Sequence, residues 1–292
     1  TTMIRMADQA QKRAAAEHLR YAFAEQDIKT SLLPENLPKL VAEVIEANAL
    51  NVVYQPKVDI HTNRVVAVEA LVRWPSDHPQ FVPVNELIET VERCGMVEAL
   101  TLQVLTTVLR ESSGWQAQGL DVKIWINLSA RLLNQPELPR TLAHKLEVWF
   151  AASGSIGLEI TESALIRDLE QTVEVLTELK RLGFELAIDD FGTGYSSLAY
   201  LRRFPIDELK IDRVFVDSMT DSVQDEQIVK SIVDLAHNFG LPVVAEGAER
   251  VETVEMLRKM GCDQVQGYYF AKPMPASQLL KWCADFHLKH AR

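Results

Sequence analysis

Glu185-Leu-Ala-Ile-Asp-Asp-Phe-Gly-Thr-Gly-Tyr-Ser196 reads as a short strand, residues 186–188, running straight into two adjacent acids and then a glycine-broken loop. Successive strand residues face opposite ways, so Asp189 and Asp190 can serve one site only if Asp190 lies past the strand's end. Two carboxylates about 4 Å apart repel by roughly 4 kcal/mol at an effective dielectric near 20. A proton, a cation or ample water must relieve that. Gly192 and Gly194 let the backbone turn sharply, and Ser196 or Ser197 is placed to cap a following helix. A solvated turn rich in acid and glycine is the plain alternative, so the rest of the chain has to decide.

Outward from this stretch, strands and helices alternate. Downstream come a short helix over 197–203, a strand at 208–211, a helix at 225–239 and a strand at 243–245. A helix at 251–260, a strand at 264–269 and a helix at 276–285 follow. Upstream, strands at 123–128 and 156–161 alternate with helical patterns at 84–94, 97–118, 137–151 and 168–182. Apolar, β-branched runs at 52–60 and 64–74 flank His61-Thr-Asn63, a hairpin signal. Roughly eight strands over about 240 residues fit an α/β, TIM-like (β/α)8 barrel, typically about 250 residues long. The opening hairpin departs from that plan, because strands joined so tightly must be antiparallel. A doubly wound open sheet is the structural alternative, and the side-chain parities described below favour the barrel.

Residues 1–48 differ in character and read as a helical connector from an upstream domain, with helices over 3–26 and 37–49 interrupted at Pro34. The barrel is expected over 49–290. The chain starts at Thr1 without a methionine, as a fragment or processed product would. Of 292 residues, 47% are hydrophobic and 24% charged, ordinary for a soluble globular protein. No apolar run is long enough to span a bilayer and no secretory signal is evident. The expectation is therefore a cytoplasmic domain, with membrane tethering left open through an upstream region. A net charge of −11 argues against a long nucleic acid as partner. It does not exclude a small phosphorylated ligand, since a bound divalent cation reverses the local sign. Cys94, Cys262 and Cys283 are far apart in sequence and are expected as reduced, mostly packed thiols. His61 and His237 are expected to be structural or solvated.

In a barrel, alternate residues of each strand point inward and the chemistry sits at the C-terminal rim. Glu69 shares a face with Ala67, Asn127 with Trp125, and Val244 with Glu246, which Glu249 follows. Leu158 and Ile160 flank Glu159, with Glu162 just beyond; Leu209 and Ile211 flank Lys210, with Asp212 on the lysine's side; Gln266 ends the series. One polar residue at a strand end is usually structural. Seven such ends are better explained by one shared site, because buried carboxylates without partners are costly. Glu69, Asn127, Glu159, Asp189, Asp190 and Glu246 offer only hard oxygens, which suits magnesium or manganese. Asp189 is best placed to bridge two ions, with Asp190 on the second, as in two-metal phosphodiester chemistry. Lys210 can orient a water or neutralise charge, and Glu246 can accept a proton.

The motif Glu69-Ala-Leu71-Val-Arg73 resembles the signature of the EAL-domain cyclic di-GMP phosphodiesterases. Tyr54-Gln-Pro56, Asn127-Leu-Ser129, Glu159-Ile-Thr-Glu162, Asp189-Asp-Phe-Gly-Thr-Gly194, Leu209-Lys-Ile-Asp212, Ala245-Glu-Gly-Ala-Glu249 and Gln266-Gly-Tyr-Tyr-Phe270 extend the resemblance over about 50–285. It implies a barrel with an antiparallel first strand that hydrolyses cyclic di-GMP to linear pGpG, using two magnesium or manganese ions. It implies metal ligands at Glu69, Asn127, Glu159, Asp189 and Asp190, a lysine and a base at Lys210 and Glu246, and substrate contacts at Gln55, Arg73, Asp212, Glu249 and Gln266. Glu162 would steady the loop after Asp190. That loop and its helix would carry a homodimer contact, and a sensory or GGDEF-type domain can stand upstream. Ala248 and Gln80 depart mildly from the family pattern, outside the catalytic positions. Two other readings stay open: a receptor that binds cyclic di-GMP without cleaving it, and a barrel aldolase using Lys210 as a Schiff base.

Overall fold

A computed structural model describes residues 36–149, 155–166, 169–194 and 201–290. The helix expected over 3–26 and most of that over 197–203 lie outside them. The described residues fall into two units. One comprises 36–49 and 74–94 and holds α1 (Leu37–Glu46) and α2 (Val84–Arg93). The other, from Leu50 to Arg73 and from Gly95 onward, is the barrel.

The barrel opens with the hairpin β1 (Asn51–Asp59) and β2 (Arg64–Arg73), paired antiparallel. Its turn is built by Asp59, whose Oδ1 accepts from the backbone amides of His61 (2.9 Å) and Thr62 (2.7 Å). Asn63 completes the reversal at φ +52°, a region asparagine tolerates. Then follow α3 (Val97–Gln116), β3 (Lys123–Asn127), α4 (Leu138–Val148), β4 (Ile156–Thr161), α5 (Leu169–Arg181), β5 (Glu185–Phe191) and β6 (Glu208–Ile211). The chain ends with α6 (Arg213–Ser218), α7 (Val223–Asn238), β7 (Val243–Glu246), α8 (Val251–Met260), β8 (Gln264–Gln266), a short β9 (Met274–Pro275) and α9 (Ala276–His290). Strands β2 to β8 pair in sequence order and all in parallel; β1 closes the ring by pairing antiparallel with both β2 and β8.

Several boundaries differ from expectation. The strand read as 264–269 ends at Gln266, where the chain turns back and Gly247 N donates to Gln266 O at 2.8 Å. The strand at 186–188 extends to Phe191. A helix absent from the sequence reading, α6, starts where Asp212 Oδ1 accepts from Val214 N at 2.6 Å. The three cysteines are free; Cys262 and Cys283 are buried and Cys94 is exposed. His61 and His237 make structural contacts, with Cys262 O at 3.0 Å and Asp263 Oδ2 at 2.9 Å. No described helix is long and apolar enough to cross a membrane.

A buried indole packs in the lower interior of the barrel. Trp125 is buried among Ala67 and Ala187, and its paired neighbour on β4 is Gly157. A Cβ at Gly157 would lie 2.3 Å from the Trp125 ring, so only glycine fits without movement. Gly157→Ala is therefore expected to destabilise the barrel by about 1–3 kcal/mol, the usual cost of overpacking. At roughly 2–4 °C per kcal/mol for a domain of this size, the melting temperature falls by several degrees. An unchanged melting temperature would show that the indole yields freely.

Candidate active site

The decisive local feature is at the end of β5. Between Ile188 and Phe191 the register against β6 slips, because three steps on β5 match two on β6. The extra residue is Asp190, at φ +55°. A bulge of this kind re-aims a side chain, and it answers the parity problem set by adjacent acids. Asp189, Asp190 and Glu246 each offer an oxygen within 4.8 Å of the others.

The loop beyond is held from β4. Glu162 Oε2 accepts from the amides of Gly192 (2.8 Å) and Gly194 (3.3 Å). Thr193 Oγ1 donates to Asp190 O at 2.9 Å, and Ser196 lies outside the described residues. Gly194 allows this close approach, since a Cβ there would lie 2.6 Å from Glu162 Oε1 and push the carboxylate aside.

Lys210 organises the centre. Its fully buried ammonium stands 2.5 Å from Glu246, 2.6 Å from Glu159, 3.1 Å from Asp189 and 3.7 Å from Glu69. Burial opposes its charge, but Asp189, Glu159 and Glu246 together raise its proton affinity well above that of an ordinary lysine. One ammonium does not neutralise so many acids. Burial, with repulsion from Asp189, Glu69 and Glu159, pushes Glu246 up to about 8 against the pull of Lys210. Burial, Asp189 and Asp212 push Asp190 up to about 6. Burial and Glu159 raise Glu69. Burial would raise Glu159 too, yet Lys210 and Lys57 hold it down at about 2.

Glu69 is fixed from two sides. Asn127 Nδ2 donates to its Oε1 at 2.7 Å and Gln266 Nε2 to its Oε2. Gln266 also reaches Gln55 Oε1 at 3.2 Å. Above these groups opens a cleft of about 220 Å³. Gln55, Glu69, Asp189, Glu246, Glu249 and Gln266 line it, joined by Arg213 and Tyr268.

A family model for the EAL domain matches residues 39–273. The chain belongs to the EAL domain family. Among curated relatives, the cyclic di-GMP phosphodiesterase PdeR of Escherichia coli is 36% identical, over 82% of this chain and 36% of its own length. The cyclic di-GMP phosphodiesterase NbdA of Pseudomonas aeruginosa is 34% identical, over 92% and 34%. The chain thus spans about a third of the length of these relatives. A solved structure described as the PaMucR phosphodiesterase in complex with c-di-GMP superposes with a TM-score of 0.78 at 35% identity, over 82% of this chain and 97% of that one. The EAL domain of Mycobacterium smegmatis DcpA gives 0.69 at 35%, over 81% and 96%.

The rim of this EAL domain therefore gathers most of the residues singled out in the sequence. Arg73 and Asp212 are not among those lining the cleft: the Arg73 guanidinium donates to Val72 O at 2.8 Å, and Asp212 caps α6 while lying beside Asp190. The sequence reading missed Arg213 and Tyr268 at the cleft, and Lys57 and Glu208 beneath it. For the last two a signal existed, since Lys57 has the parity of Gln55 and Glu208 that of Lys210. The donor set suits a divalent cation: all oxygens, mutually repelling, with proton affinities raised by that repulsion in Glu246, Asp190 and Glu69.

Proposed function

We propose that this chain hydrolyses cyclic di-GMP to linear pGpG in a divalent-cation-dependent reaction. The observation that carries the reading is the cluster of carboxylates around Lys210, with Asp189, Asp190 and Glu246 converging beside a cleft. The relatives named as cyclic di-GMP phosphodiesterases support the substrate.

Glu69, Asn127, Glu159, Asp189 and Asp190 would hold magnesium or manganese, two ions per site. Ions bound there supply charge neutralisation at the phosphodiester and activation of water. Glu246 accepts the proton of the attacking water as the oxygen adds to phosphorus and the P–O3′ bond breaks, and the departing 3′-oxygen takes a proton from solvent, leaving a 5′-phosphate and a free 3′-hydroxyl. Lys210, held against Glu246 and Asp189, keeps that base oriented and offsets charge on the phosphoryl oxygens. Gln55, Glu249 and Gln266 contact the substrate from the cleft wall, with Arg73 and Asp212 reaching it from the rim. In the same reading residues 1–48 form a connector to a sensory or GGDEF-type domain, and the loop and helix after Asp190 pair two copies of the chain.

The test is product analysis by chromatography after incubation with cyclic di-GMP and magnesium or manganese. Stoichiometric pGpG is expected. Tight binding without product would instead make the chain a receptor. Calcium as the sole divalent ion is expected to support no turnover, since it takes the same oxygens with longer bonds and looser coordination. Full activity with calcium would remove the need for a tightly defined geometry.

Glu162→Ala is expected to raise the magnesium concentration for half-maximal activity by about 10–100-fold, as losing a group that orients metal ligands commonly does. Superimposable magnesium titrations of the two proteins would make Glu162 a bystander.

A further inference from the structure

Beneath the carboxylate cluster lie two buried ionic residues, Lys57 and Glu208, that none of the assigned roles uses. β1 descends from the rim, so Gln55 stands opposite Glu69, and Lys57 opposite Ala67 one layer deeper. The Lys57 ammonium is fully buried, 4.3 Å from the centre of the Trp125 ring. It donates to Glu159 Oε1 and to Glu208 Oε1, each at 2.7 Å. The other oxygen of Glu159, Oε2, is the one that meets Lys210, at 2.6 Å. Packed on an indole face and held by two carboxylates, Lys57 has little room to move. The Glu159 carboxylate is correspondingly fixed about its last bond.

We propose that Lys57 is a positioning residue that makes Glu159 a one-oxygen donor: it occupies Oε1 from below and leaves only Oε2, which Lys210 also contacts, on the rim side. The inference rests on the reading of Glu159 as a metal ligand. Its consequence is ion selectivity. Magnesium demands near-octahedral geometry, whereas calcium accepts more oxygens and readily takes both from one carboxylate. Released from Lys57, Glu159 can turn and offer both oxygens, and the site shifts toward calcium.

The experiment is calorimetric titration of the metal-free protein with magnesium and, separately, with calcium, in the absence of substrate. Lys57→Met alone would leave Glu159 and Glu208 without their shared cation and risks unfolding. The variant to measure is Lys57→Met with Glu208→Leu, which removes one charge of each sign and keeps the interior balance. Its fold is checked by melting temperature. The calcium-to-magnesium affinity ratio is expected to rise by about tenfold, the low end of effects seen when groups supporting a metal ligand are removed. Glu208→Gln, which leaves Lys57 on Glu159, should keep the wild-type ratio. A merely structural role for Lys57 would weaken both ions alike, and an unchanged ratio in the folded double variant overturns the proposal. So does a Glu208→Gln protein that reproduces the full shift. If Glu159→Gln alters neither ion's affinity, the ligand reading of Glu159 falls and the inference falls with it. If Glu159→Gln weakens binding while the double variant keeps the wild-type ratio, the inference alone falls.

Discussion

Glu246→Gln is expected to lower turnover of cyclic di-GMP by about 10²–10⁴-fold, the usual contribution of a positioned general base. Affinity for the intact cyclic dinucleotide should change little. The amide matches the carboxylate in size and can still line the cleft, but it cannot take a proton from water. A group that acts mainly in the transition state is lost from kcat rather than from binding. The wild-type side chain is suited to this task. It keeps 19% exposure at the cleft, and burial with repulsion from its neighbours lifts its proton affinity to about 8 while Lys210 holds it 2.5 Å away. Turnover should be compared with equilibrium binding of cyclic di-GMP on the same protein. Near-normal turnover would take the base role away from Glu246.

Lys210→Met should do two things at once. Turnover disappears, and the metal-free protein loses stability. The ammonium is the counter-charge shared by Glu69, Glu159, Asp189 and Glu246, all within 3.7 Å. Removing one partner of a buried ion pair typically costs about 3–5 kcal/mol, because the remaining charge is left uncompensated. Some of the acids will take up protons, which softens the loss. Melting temperatures in a chelator should therefore drop by several degrees, and magnesium should narrow the gap by returning positive charge to the same acids. A variant that melts like wild type in the chelator would mean that the carboxylates do not depend on Lys210 for their balance.

Much of this arrangement could be read from the chain, for a physical reason. Strand parity is local, so Glu69, Asn127, Glu159, Lys210, Glu246 and Gln266 could be put on inward faces without knowing how the strands pair. The hairpin at His61-Thr-Asn63 likewise announced the reversed first strand. What escaped depends on departures from regularity or on distant partners. A left-handed Asp190 is a bulge that no alternation rule produces, and it alone lets adjacent acids converge. Lys57 carries no local sign of its partners, and its meaning depends on Glu159 and Glu208, 102 and 151 positions away in sequence. β8 was drawn too long because Tyr268, Tyr269 and Phe270 have strand-like character, while the observed chain turns there instead, with Tyr269 N donating to Ala248 O at 3.0 Å.

The reversed first strand also fixes how the barrel is wired. Asn51 pairs with Arg73, at the end of β2, while Asp59 pairs with Gln264, at the start of β8. An all-parallel barrel begins its first strand at the end remote from its chemistry. This one begins at the rim that carries Glu69 and Gln266, and the strand then leads inward past Gln55 to Lys57. The backbone therefore enters the barrel at Asn51 from the end where β2 finishes. A single strand thus joins that entry point to Gln55 and, one layer down, to the lysine that holds Glu159.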